Sequence, residues 1–161
     1  MTVPLDYCRG FLDVLALLNS EASDLAASYE LQALPAAPSL AEALGRRVED
    51  HALNQIAPAR ELPAHLWQID TRPLAEGEFD VIVERWFFSS QHMQAAPGGA
   101  FRRNVQNAFV SALQQSLSGF AAFKVGMRPP MWYAIHWDEI AFERGAGSDA
   151  ERYLLHFSHS D

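Results

Sequence analysis

Apolar residues recur along the chain at two different spacings. In LDYCRGFLDVLALLN, Leu5, Cys8, Leu12, Leu15 and Leu18 fall three or four apart with Phe11 beside them, the stripe of an amphipathic helix over residues 5–19. Helical periodicity is expected to continue as far as Leu31, until Pro35 and Pro38 break it in a connector. Ser39, with Glu42 three residues later, forms a capping box. Leu40, Leu44, Val48, Ala52 and Ile56 then supply the stripe of a second helix that ends before Pro58. A third stripe, Phe101, Val105, Phe109, Ala112 and Leu117, runs up to Gly119, which stops it.

Between the second and third stripes the period shortens to two. HLWQIDTR places Trp67, Ile69 and Thr71 on one side and Gln68, Asp70 and Arg72 on the other. FDVIVERWFF, β-branched and aromatic, reads as a more deeply buried strand, and the intervening PLAEGE supplies a turn, so the two segments are expected to form a hairpin. SSQHMQAAPGG reads as a loop. A short strand is expected at Ala122–Met127, set apart from the C-terminal region by the pair Pro129–Pro130.

The C-terminal stretch MWYAIHWDEIAFERGAGSDAERYLLHFSHSD predicts a second hairpin, turning at GAGSDA. Setting Arg144 opposite Glu151 aligns Phe142 with Tyr153, Ile140 with Leu155, Glu143 with Arg152 and Glu139 with His156. One face is then aromatic and aliphatic, and the other carries complementary polar pairs. His156 and His159, three apart on a strand, point to opposite faces, which removes a shared H-x-x-H metal site. In the same register His159 meets His136, with Asp138 two residues along, leaving one possible cluster: His136, Asp138 and His159. The apolar parity changes from Tyr133, Ile135 and Trp137 to Ile140 and Phe142, which predicts a bulge or bend near Asp138–Glu139, and a bulge would separate that cluster.

The order helix, helix, hairpin, helix, strands describes an α+β protein, with two or three helices packed on one face of a curved antiparallel sheet. It is similar to the element order of the NTF2-like cone fold. That likeness is topological and transfers no functional residues. At 161 residues and 49% hydrophobic, the chain reads as one domain able to bury roughly 70% of its unfolded surface. Cys8, the single cysteine, lies on the first apolar stripe, where a small buried hydrophobe is expected rather than a nucleophile. His51 is expected on a helix surface. The N-terminus lacks the features of a secretory signal and no segment is apolar enough for a membrane span, so a cytoplasmic protein with no membrane partner is expected.

Twelve basic residues against twenty acidic ones give a net charge of −8, which argues against nucleic acid as partner and favours a basic protein. Eleven of the twelve basic residues are arginine and alanine is abundant, a composition expected of a GC-rich bacterial genome. GAG at residues 145–147 has no strand-to-helix context, and neither G-x-S-x-G nor H-E-x-x-H occurs, so no enzyme class, metal or cofactor is indicated. The first expectation is therefore a small acidic binding protein, an immunity-type inhibitor of a basic bacterial toxin. Its partner-binding residues would be Glu76, Glu78 and Asp80 in the acidic turn and Asp138 and Glu139 near the bend. The alternative is a small-molecule binder or enzyme with a pocket between sheet and helices, lined by Trp67, Trp86, Trp132 and Trp137. Convergent polar groups such as His136 and Asp138 would mark that pocket.

Overall fold

The computed structural model describes residues 3–55, 64–88, 99–130 and 133–160, of which 51–55 and 64–65 by their backbone alone. In chain order the elements are α1 (Leu5–Glu21), β1 (Ala26–Ala33), α2 (Leu40–Gln55), a 3-10 turn (Ala64–Trp67), β2 (Ile69–Pro73), α3 (Glu78–Phe88), α4 (Gly99–Ser116), β3 (Ala121–Met127), β4 (His136–Arg144) and β5 (Glu151–Ser160). The strands form one antiparallel sheet in the order β1-β5-β4-β3-β2, open, with β1 and β2 at its edges. This is an α+β fold with, among the described residues, four helices packed on the sheet.

Local signals explain most of the elements. Cys8, Leu12 and Leu15 bury the stripe of α1, but Leu18 is largely exposed. Its neighbour Asn19 turns inward instead, donating from Nδ2 to the carbonyls of Leu15 (3.0 Å) and Phe87 (3.2 Å). Ser39 Oγ accepts from the Glu42 amide (3.2 Å), which starts α2 at the expected place, and Leu40, Leu44 and Val48 are buried. Ala52, His51 and Ile56 fall outside the described side chains, as does the loop assigned to SSQHMQAAPG. In α4, Phe109, Ala112 and Leu113 are buried while Phe101 is exposed. Gly119 follows with a φ of +82°, a left-handed stop that favours glycine.

Two segments differ from expectation. Residues 26–33 form an edge strand, not an extension of α1. Tyr29 and Leu31 alternate inward between Ser28, Glu30 and Gln32, and pairing with Tyr153–Ser160 of β5 outweighs the helical propensity of Ala, Glu and Leu. FDVIVERWFF is α3, not a strand. Ile82, Val83, Trp86 and Phe87 are buried at a helical spacing, and Glu78 in the first turn accepts from the Ala75 amide (3.0 Å). The first hairpin is therefore absent, and β2 pairs with β3. The order helix, helix, hairpin, helix that suggested the cone is replaced by a strand between the first two helices and a helix in place of the hairpin's second strand.

The C-terminal hairpin has the register read from its sequence, from Arg144↔Glu151 through Phe142↔Tyr153, Ile140↔Leu155 and Glu139↔His156 to His136↔His159. The expected bulge is not there, because pairing runs unbroken through Asp138 and Glu139. The parity change has another cause: both faces of β4 are covered. Ile140 and Phe142 join Leu155, Phe157, Tyr29 and Leu31 under α1, α3 and α4, the larger core. Ala141 and Leu154 join Leu40, Ala43 and Leu44 of α2 on the opposite face. A further small cluster on that side holds Val48, Trp67 and Tyr133, with Trp137 against it. The helices thus cover both faces of the sheet, where a single face was expected.

Candidate functional site

Regular pairing puts the adjacent carboxylates of β4 on opposite faces, and each meets a different set of donors. Glu139 points toward α2 and is 2% exposed. Its Oε1 accepts from Arg47 Nη1 (2.9 Å), the Tyr133 hydroxyl (2.9 Å) and His156 Nδ1 (3.0 Å), and Arg47 also donates to the Tyr133 oxygen (2.6 Å). Burial by itself would raise the Glu139 carboxyl. The hydrogen bond from His156, the charges of Arg47 and His156 and the hydroxyl of Tyr133 outweigh it and hold the group down at about 2. Because an ionised carboxylate only accepts, Nδ1 of His156 carries its proton.

Asp138 points the other way, toward α3. Trp86 Nε1 (2.6 Å) and Arg85 Nη2 donate to its Oδ2, and Lys124 Nζ on β3 donates to its Oδ1 (2.5 Å). Lys124 pairs with Ile140, so it is the diagonal same-face neighbour of Asp138. Burial again works upward, but the hydrogen bonds from Lys124 and Trp86 and the charges of Lys124 and Arg85 hold the Asp138 carboxyl below its ordinary value. Three elements are tied at one carboxylate.

Beside this clamp lies a cleft of about 650 Å³ lined by Arg85, Trp86, Ile135, His136, Trp137, Asp138 and His159. His159, opposite His136 in the hairpin, packs its ring 4.8 Å from that of Trp86, which in turn stacks on Phe157 (5.6 Å, 10° between planes). Burial, and then the neighbouring His136, lowers the His159 pKa, so the ring is neutral at pH 7. The guanidinium of Arg85 is the exposed member of the clamp: 57% of its side chain is accessible, against 20% for Lys124 and 12% for Asp138. The cleft combines apolar walls with cationic and imidazole groups around one carboxylate that is already neutralised. It can hold a small molecule and present it with charge and hydrogen bonds.

The structure brings His136, Asp138 and His159 to the same cleft, where a bulge was expected to part them. Among the described residues they do not form a group able to hold a metal ion. Five acidic residues are expected to meet a basic partner, Asp138 and Glu139 among them. Both are buried and ion-paired inside the chain, and neither offers free charge at the surface. Glu78 makes a two-point pair with Arg72 (2.5 and 2.8 Å), which, together with the Ala75 amide, lowers its pKa to about 2. Glu76 and Asp80 are exposed. Trp86 and Trp137 line the cleft, Trp67 is fully buried in the small cluster on the other face, and Trp132 is outside the described residues. Arg85 and Lys124 were missed by sequence reasoning. The signal for Lys124 was register, and for Arg85 the helical period of its segment.

No family model matches the chain, and no curated protein matches it. Among solved structures, citrus MAF1 in two crystal forms is similar in fold. One form has a TM-score of 0.50 at 15% identity, covering 98% of this chain and 99% of that chain. The other has a TM-score of 0.50 at 16% identity, covering 98% of each. At that identity the likeness concerns the fold alone.

Proposed function

We propose that the protein binds a small molecule in the cleft between α3 and the paired ends of β4 and β5. One observation carries this reading: Trp86, His136, His159 and Arg85 come together around a carboxylate whose charge is already met from within the chain. Apolar walls with a few convergent polar groups are the usual composition of a ligand site, and about 650 Å³ is in the range such sites occupy. A fragment screen followed by indole N–H resonances tests it. Bound fragments should shift the Trp86 signal. Fragments that bind elsewhere and leave that indole unmoved would overturn the proposal.

The acidic-inhibitor reading keeps a smaller footing. Glu76, Asp80 and Glu84 are exposed along the start of α3, with the 62% exposed Val81 among them, a ridge suited to a basic protein surface. Reversing Glu76 and Asp80 to lysine should slow association with such a partner, recovered by pull-down, roughly tenfold at low salt and less at high salt. An on-rate indifferent to both salt and reversal would remove this reading.

A further inference from the structure

We propose that the cleft recognises its ligand through a carboxylate held by Arg85, the ligand being a small aromatic carboxylate whose ring lies against Ile135. The inference rests on the cleft reading above and names the chemistry of its occupant.

Three observations carry it. First, the charge at this place runs against the whole chain. The protein has a net charge of −8, yet the clamp sets two cations, Arg85 and Lys124, against the single carboxylate of Asp138, with His136 and His159 beside them. A surplus of one positive charge in an otherwise anionic surface fits a monoanion. Second, the surplus is assigned to one side chain. Lys124 is mostly buried on Asp138 Oδ1, whereas Arg85 is more than half exposed and, among the described residues, commits a single nitrogen to Asp138. If Arg85 turns to a ligand, Asp138 retains Lys124 and the Trp86 indole, so no buried charge is left without a partner. The planar fork of a guanidinium matches the two oxygens of a carboxylate, a fit that an ammonium does not offer. Third, the wall next to Arg85 is apolar and open. Ile135 is 38% exposed, which leaves apolar surface for a flat ring to cover.

The charge balance also selects between anions. A phosphate monoester at neutral pH carries close to two negative charges, more than the surplus at the clamp, and His159 is held neutral by its burial and by His136.

Calorimetric titration of the full chain with 2-naphthoate, its neutral counterpart 2-naphthamide and 2-naphthyl phosphate tests the assignment. Naphthoate should bind at least tenfold more tightly than naphthamide. Arg85→Gln should abolish most of that difference, and Arg144→Gln, at the far end of the hairpin, should leave it intact. The fold of each variant is checked by thermal melting. Equal affinity for naphthoate and naphthamide, with the Trp86 indole shifted by both, would overturn the carboxylate and leave the cleft as a neutral-ligand site. Tighter binding of the phosphate than of the carboxylate would also overturn it, as would naphthoate binding untouched by Arg85→Gln. If none of the three probes moves the Trp86 resonance, the cleft reading falls with it.

Discussion

Replacing Glu139 by glutamine keeps the shape of the side chain and removes its charge from the network it shares with Arg47, Tyr133 and His156. The amide oxygen can still accept from Tyr133 and His156. What is lost is the counter-ion of Arg47, whose side chain is only 10% exposed. Removing one partner of a buried ion pair costs about 3–5 kcal/mol, because the other charge stays desolvated and unmatched. For a chain of this size that corresponds to a melting temperature lowered by ~6–20 °C. In urea it moves the midpoint down by roughly 1–2 M. Tryptophan fluorescence through a urea series reads the change directly. Arg47→Met should cost less, since Glu139 would retain the donors Tyr133 and His156. The double variant should fall well short of the sum of the two, a coupling that a double-mutant cycle isolates. A loss below about 1 kcal/mol for Glu139→Gln would refute the argument, because it would mean that water reaches Arg47 and the burial has been misjudged.

Acid should destabilise the fold in two stages. His159 has a lowered pKa in the folded chain, so the unfolded chain takes up more protons around and below its ordinary 6.5, and stability falls as pH drops through that value; His159→Gln should flatten that slope in denaturant titrations. Asp138 and Glu139, both held down, contribute stability that is present above the ordinary carboxylate range and is lost at lower pH, towards about 2 for Glu139. Asn19→Ala should cost about 1–2 kcal/mol by leaving the Phe87 carbonyl without its donor between α1 and α3, and an unchanged urea midpoint would contradict that tie. Excess EDTA should leave the melting temperature where it is, since the described residues hold no group of three or more ligands suited to a metal ion; a drop of several degrees restored by zinc would refute this.

The C-terminal hairpin was legible because its apolar pattern and its charge pattern agree on one register: Phe142 with Tyr153, Glu143 with Arg152, Glu139 with His156. The same pattern misleads near Asp138, where a change of parity predicts a bulge that the strand does not have. In a sheet covered on both faces, Trp137 and Ile140 can both find apolar surroundings without any break in pairing. The α3 segment is strand-like in its β-branched and aromatic composition but helical in its spacing. Phe79, Ile82, Val83, Trp86 and Phe87 recur at three and four, which is the period of a helix. That conflict hides the cleft, since Arg85 and Trp86 face Asp138 only when carried by a helix. The strand at 26–33 was hidden for the opposite reason. Its composition is helical, and the long partner that overrules it, β5, lies more than a hundred residues further along.

The placing of Asp138 and Glu139 next to each other, one per face, also bears on how the chain avoids misassembly. A slip of β4 by one residue exchanges its two faces. Slipped in one direction, Glu139 would take the position before Arg85, Lys124 and Trp86, and Ile140 would be thrust against Arg47. Slipped in the other, Asp138 would reach Arg47, and Trp137 would be left facing the two cations. Either error satisfies one cationic socket and empties the other, and an emptied socket that stays buried carries a penalty of about 3–5 kcal/mol. An all-apolar β4, packed between two oily layers, would slide between alignments at far smaller cost. The acidic dipeptide therefore works as a two-sided key, telling the strand which of its neighbouring alignments to reject before any ligand is involved.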